Sequence, residues 1–326
     1  MPLWKRSSPE EIQRRQQEQQ QAEVSRRALE AGGLPLKAQR RLSEEMEAGH
    51  PLFSSDLSAN ELLLTRERGY QPLSQVMGSS IYQVGWQYQR QYTWNTQARE
   101  MDTLSQAHQH AASLALNRLE QEAKLLGAHG VIGVRFTRRS YEWGSNLLEY
   151  TAIGTAIKLP GSAATGHPFL SDLSGQEFWT LLQAGYYPAG VVTGYCSYYV
   201  ALGSNLTQQI LGWWLGGTNQ EIGPFTQGLY NARHLAMQRA TAMARQQQAL
   251  GIVGMHIENS RQIHEYETDN GGKRRYMDLY VHFAVLGTSI ISVKKDHVIP
   301  APKATLTFTD LRPGSYGQNQ ELTFRG

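Results

Sequence analysis

Residues 53–85 and 169–201 are two copies of one segment, and this repeat constrains the fold more than any other feature of the chain. At a constant offset of 116, FSSDLSANELLLTRERGYQPLSQVMGSSIYQVG and FLSDLSGQEFWTLLQAGYYPAGVVTGYCSYYVA share thirteen identities in 33 positions without a gap, where unrelated sequence gives about two. The shared residues include Phe53/Phe169, Asp56/Asp172, Ser58/Ser174, Glu61/Glu177, Gly69/Gly185, Pro72/Pro188 and Gly78/Gly194. Stretches this similar adopt one local structure, so the chain reads as two tandem units.

Each shared residue has a structural role. Ser58 and Ser174 stand three residues before a Glu, the capping box that starts a helix. Gly69 and Gly185 end it, and Pro72 and Pro188 prevent its continuation. The β-rich runs SQVMGSSIYQV and GVVTGYCSYYV follow, each with a glycine suited to a bulge or a close approach. A long helix comes next in both copies, aligned at an offset of 121 through Ala111/Ala232, Leu114/Leu235, Ala115/Ala236 and Arg118/Arg239. GVIGVRF (130–136) and GIVGMHI (251–257) begin a hairpin that returns through EYTAIGTAI and HFAVLGTSI at an offset of 133. The order in each copy is short helix, strand, long helix, two-stranded hairpin: an α+β pattern.

The growing offset places two insertions in the second copy. One contains LTQQILGWWLGG, before the long helix; the other is a hairpin tip at Asp269-Asn270-Gly271-Gly272. Residues 1–50 form a polar helical arm whose apolar residues are too sparse for a core-facing stripe, so it is expected to contribute little to stability. The first unit then spans 51–160, a linker 161–168, the second unit 169–293 and a C-terminal extension 294–326, with a strand in ATLTFTDL.

Composition narrows the function classes. A net charge of +3 over 326 residues specifies neither nucleic acid nor an anionic membrane. The single cysteine, Cys196, rules out an intrachain disulfide and a multi-thiolate metal site. No apolar h-region opens the chain and no run approaches the ~18 apolar residues of a membrane span, so the cytoplasm is the expected location.

The segments GVVTGYCSYYVALGSNL, WWLGG, LYNARHLAMQRATAMARQQQALGIVGMHI and AVLGT resemble the YbjQ family, densely over 185–292 and more thinly over 69–160 through MGSS, EAKLLGAHGVIGV and AIGTAIKL. The resemblance implies two tandem β-α-β-β two-layer domains with antiparallel sheets, and assembly of such domains into a ring. It also carries a heavy-metal-binding label, which usually goes with acidic residues just after the first hairpin strand begins. Here that place holds Arg135 in copy one, a cation that opposes metal binding, and His256 with Glu258 in copy two.

Were a metal bound, its ligands would come from His256, Glu258 and His264, which share one strand face, and from His282 on the partner strand. No nucleophile elbow, phosphate loop, dinucleotide fingerprint or His-Glu metalloprotease motif is present; no enzyme and no cofactor is expected. Leu206, Ile210, Trp213 and Trp214 cluster on one face of the first insertion. That face reads as a flap on its own domain or as a subunit contact, and a membrane-surface role suffers from the lack of flanking Lys or Arg. Tyr82, Trp86, Tyr88, Tyr92 and Trp94, with Arg90 and Arg99, suit a packed extended strand better than a single-strand nucleic-acid platform. Together these features point to a non-catalytic protein that self-associates, as a ring of five chains, with the terminal extensions free to recruit a protein partner. The alternative is a metal- or small-ligand-binding module with sites between domains.

Overall fold

The computed structural model describes residues 9–47, 54–67, 69–84, 95–141, 147–161, 166–211, 220–268, 274–292, 305–308 and 320–323. The arm holds α1 (Pro9–Glu30) and α2 (Leu36–Glu47). The first half comprises α3 (Ala59–Glu67), β1 (Gln71–Gln83), β2 (Gln97–Glu100), α4 (Asp102–Leu125), β3 (Gly130–Tyr141) and β4 (Leu147–Lys158). The second comprises β5 (Phe169–Leu170), α5 (Gly175–Gln183), β6 (Tyr186–Leu202), α6 (Ser204–Leu211), α7 (Gly223–Gln246), β7 (Gly251–Thr268) and β8 (Arg274–Ser292). In the extension, β9 (Thr305–Phe308) and β10 (Gln320–Thr323) pair with each other. The turn at 269–272, Trp213 and Trp214, and the aromatics from Trp86 to Trp94 lie outside the described residues.

Both halves build their sheets alike. The orders are β1-β4-β3-β5 and β2-β6-β8-β7, so each first strand lies beside the returning strand of its hairpin. Both hairpins shift register at one place, between Ile132 and Arg135 and between Val253 and His256. Gly133 and Gly254 sit there with φ of 63°, a conformation that suits glycine. The long helices pack on β1 and β6 through rows of alanine, and they come close because of glycine. A Cβ at Gly78 would strike the Ala115 carbonyl, and one at Gly194 the Ala236 carbonyl.

Two strands cross between the halves, and here the sequence-based picture needs correction. β5 runs parallel to β3, so the first sheet is mixed, not antiparallel. The cause is the open edge of β3: Phe169 and Ser171 donate N–H to His129 and Val131 carbonyls, while Val134 and Gly133 donate to Ser171 and Leu173. In exchange β2, at the end of the run expected to be extended, pairs with Tyr198–Ala201 of β6, a partner the sequence did not reveal. Hydrogen bonding therefore passes across the expected boundary at 161–168.

The result is a four-layer stack of sheet, helix, sheet, helix. Helix α4 packs on the first sheet through Ala115 and Leu119 and on the second through Ser105 and Gln109, which bond to Ser197 N and the Thr193 hydroxyl. Helix α7 covers the far face of the second sheet, against Cys196, Tyr198 and Val200. The far face of the first sheet stays bare: Met77 is 48% and Ile81 66% exposed, beside exposed Arg135, Thr137 and Arg139.

The arm is docked, contrary to expectation. Leu42, only 1% exposed, enters the first core, and Leu34 is buried with it. Arg118, 8% exposed, donates to three carbonyls: Nη1 to Ser79 (2.6 Å), Nε to Gly33 (3.1 Å) and Nη2 to Leu29 (3.1 Å). Buried Glu122 accepts from Met77 N and from Arg41, each at 2.9 Å. Burial lifts the Glu122 carboxyl above its ordinary range, against the hydrogen bonds from Met77 and Arg41. No described helix is long and apolar enough to cross a membrane.

Candidate functional site

Strand alternation does put His256, Glu258 and His264 on one face of β7, with His282 opposite Ser260 on β8. They are not brought together. His256 Nε2 and Glu258 Oε1 lie 3.6 Å apart at the exposed edge. His264, eight residues from His256 and so about 26 Å along the strand, packs edge-on against Tyr280. His282 turns toward α4 and bonds the Ser197 hydroxyl at 2.9 Å. Among the described residues no group of three His, Cys, Asp or Glu side chains could hold a metal ion. Leu206 and Ile210 pack, half-buried, on their own half's core.

What the face does build is a polar joint between the sheets. His108 of α4 bonds the Tyr150 hydroxyl at 2.6 Å, stacks on Tyr195 at 6.0 Å and lies 5.8 Å from His282. Tyr150 in turn stacks on Phe136 and meets Tyr195 edge-on. Burial, then the neighbouring His282 and Arg138, lowers the His108 pKa to about 3. Burial and Arg138 lower that of His282 to about 4. Burial raises both tyrosines. At neutral pH the joint therefore holds neutral imidazoles and protonated phenols, which link the halves without adding charge beside Arg138. Beside it a small pocket is lined by Phe136, Arg138, Tyr195, His256 and Glu258. Burial, reinforced by Glu100, pushes the Cys196 thiol up to about 12, so it is a poor nucleophile.

A second junction repeats the same hydrogen bonds in each half. The Thr155 hydroxyl meets Ser55 Oγ and Asp56 N, both at 3.1 Å. Thr288 meets Ser171 Oγ at 3.1 Å and Asp172 N at 3.0 Å, and also donates to the Asp172 carboxylate. Burial, opposed by that hydroxyl, raises the Asp172 pKa to about 6. Glu61 caps its own helix through Ser58 N at 2.7 Å and reaches Gly175 N of α5 at 2.9 Å. Burial works against its charge, yet these bonds with Ser58 and Gly175 hold it below the ordinary range. A cleft of about 190 Å³ lies here, lined by Asp56, Glu61, Arg135, Asp172 and Glu177 among others.

The third junction is an ion pair. Glu100, at the end of β2, meets Arg239 of α7 at 2.6 Å, and the same guanidinium donates to Tyr195 O at 2.5 Å. Sequence reasoning aligned Arg118 with Arg239 but missed this acid. Its signal was present: at the offset of 121, Glu100 falls on Glu221.

Residues 76–160 match the YbjQ family, described as "Putative heavy-metal-binding". The match lies in the first half, whereas the sequence resemblance is denser over 185–292. The chain is also 37% identical over 222 residues to the encapsulin nanocompartment protein Rv1762c of Mycobacterium tuberculosis (strain ATCC 25618 / H37Rv), covering 66% of this chain and 81% of that protein. No solved structure matches.

Proposed function

We propose, because the chain belongs to the family of the mycobacterial encapsulin nanocompartment protein Rv1762c, that it is a non-catalytic assembly protein whose two like halves are one step of a longer head-to-tail series. The observation that carries this reading is the joint between the halves. It uses different surfaces on each: the β3 edge, α4 and β2 of the first, and β5, the inner sheet face and the β6 edge of the second. Such a heterologous contact leaves its two counterpart surfaces at the ends of the chain without a second half against them. The bare sheet face and β1 edge lie at one end, and at the other lie α7 and the β7 edge with exposed Met255, Ile257 and Ile263. Repeating the joint between chains continues the layers and closes into a ring, for which we expect five chains. The shared repeat, the common strand order and the matched bulges support descent of both halves from one YbjQ-like domain by duplication.

In this reading the protein works in the cytoplasm, carries no resident metal or cofactor, and associates with a nanocompartment of the encapsulin type, as the name of its relative indicates. Mass photometry at micromolar concentration tests it. Five chains of 36.6 kDa give a species of about 183 kDa, and a lone 36.6 kDa species at every concentration overturns the reading. Elemental analysis of the protein purified without added metal should find none near one per chain. A stoichiometric metal would instead favour a ligand-binding module, with the cleft between the halves as the place to look.

A further inference from the structure

The surroundings of Arg118 and Arg239 can be compared atom for atom, because the two residues are counterparts on α4 and α7 at the offset of 121. Each donates to a carbonyl on the outer edge of the first strand of its own half, Ser79 and Tyr195. What else each holds differs. Arg239 takes a carboxylate, Glu100, from the strand that adds to the β6 edge. One helical turn on, Met243 meets Gln109 of α4. The neighbouring half thus covers this edge. At the first half, Arg118 takes the Leu29 and Gly33 carbonyls of the arm, and Glu122, the counterpart of Met243, takes Arg41. The arm stands where, on the other half, a neighbour stands.

The acid that would complete the pattern is in the chain, at the wrong end to reach. Glu221 is the counterpart of Glu100; it is exposed and bonded to nothing among the described residues. Just beyond it Tyr230, the counterpart of Gln109, is 63% exposed on α7. Since Gln109 bonds Thr193 and Met77 is the counterpart of Thr193, a repeat of the joint sets Tyr230 of one copy against exposed Met77 of the next. A groove of about 500 Å³ already opens between the arm and β1, lined by Leu29, Leu34, Met77, Ile81, Leu114 and Arg118.

We propose that the docked N-terminal arm holds, in cis, the surface on which a second copy of the chain docks through Glu221 and α7, so that release of the arm gates head-to-tail assembly. This rests on the assembly reading above and names its surface and its control. Arm carbonyls are neutral acceptors, whereas Glu221 would bring a charge-assisted bond to a guanidinium that has no acidic partner among the described residues, so the exchange favours the second copy once chains are concentrated.

Two substitutions test the gate in the full chain. Leu42→Asp removes the arm's buried anchor, and Glu221→Arg inverts the partner charge on an exposed segment where folding is not at risk. Mass photometry across a concentration series should show Leu42→Asp assembling at about tenfold lower concentration than wild type, and Glu221→Arg cancelling that gain. Hydrogen exchange on the wild-type chain gives a readout independent of either variant: amides of 26–42 should exchange faster as concentration rises. If wild type and Leu42→Asp assemble alike, with no change in arm exchange, the gate is wrong and the assembly reading survives. An arm-released chain that stays monomeric while folded overturns both. Should Leu42→Asp fail to fold, the exchange measurement and Glu221→Arg on the wild-type background decide alone. Unchanged exchange, or assembly indifferent to Glu221→Arg, then overturns the gate.

Discussion

Helices α4 and α7 are counterparts of equal length, 24 residues each, yet they live in different surroundings. Six residues of α7 are buried, and five of them, Gly228, Ala232, Ala236, Ala240 and Ala244, follow one row at i+4 spacing. Twelve residues of α4 are buried, including Ser105, His108, Arg118 and Glu122. The row that grips the helix's own sheet is common to both. The additional burial on α4 comes from the second sheet and the arm, and it recruits polar side chains because both faces of a helix between sheets must satisfy what they cover. Two similar arrangements of helix on sheet thus have two environments, set by position in the stack and matched by the residues each helix carries.

The sharpest way to break this comparison is to exchange residues between the helices. Ala112 is fully buried on α4, while its counterpart Arg233 is exposed on α7. Ala112→Arg should destabilise by about 3–5 kcal/mol, since it drives an unpaired charge into the joint. Arg233→Ala should stay within about 0.5 kcal/mol in an unassembled chain. Equal effects in thermal denaturation would mean that α4 is not confined as described.

Acid should act on α4 through its histidine. The ordinary histidine pKa of 6.5 falls to about 3 for His108 and about 4 for His282, so the unfolded chain binds these protons first. Their contribution is complete above pH 6.5 and is lost as pH falls toward those values, by up to ~1.4 kcal/mol per pH unit for each histidine. Asp172 has the opposite sign: raised from 3.8 to about 6, it favours the folded state below 3.8 and loses that contribution as pH rises through 6. Melting points measured from pH 7 to 4 should therefore fall, with Asp172 offsetting part of the slope. His108→Leu, which installs the residue found at the counterpart Leu229, should flatten the curve. At pH 7 it should cost about 1–3 kcal/mol for the lost hydrogen bond between the imidazole and the Tyr150 hydroxyl. An unchanged slope in His108→Leu would assign the acid sensitivity elsewhere.

The smallest expected effect concerns the strand that covers β6. Glu100→Gln leaves Arg239 its Tyr195 carbonyl, so the loss should be about 1 kcal/mol by chemical denaturation. A loss several times larger would show that β2 detaches with the charge.

Much of each half was legible, since alternation, glycine placement and capping residues are local signals that the repeat displays twice. The order of helix and strands, and the close approach at Gly78 and Gly194, could be read from them, whereas the register shifts at Gly133 and Gly254 were not. The exchange of β2 and β5 could not, because an extended run that ends in QARE does not mark which edge it will join, and the two residues Phe169–Leu170 carry no periodicity at all. The arm was misjudged for a related reason. Leu42 is the one buried residue of a mostly polar helix, and besides Leu34 the docking relies on Arg118 binding arm carbonyls and on Glu122 binding Arg41, which a search for an apolar stripe does not register. The histidines show a third limit. Face-sharing along β7 and β8 was right, but α4 covers only part of that face, so His282 is drawn inward while His256 and His264 stay outside.

The traded strands have a consequence for how the chain divides. A cut between residues 161 and 166 would sever the peptide where the two halves meet in sequence but would not free them, because each fragment would still supply a strand that completes the other's sheet. The halves are better regarded as mutual subunits, in which complementation by separately made pieces is a natural outcome and independent folding of either piece is not.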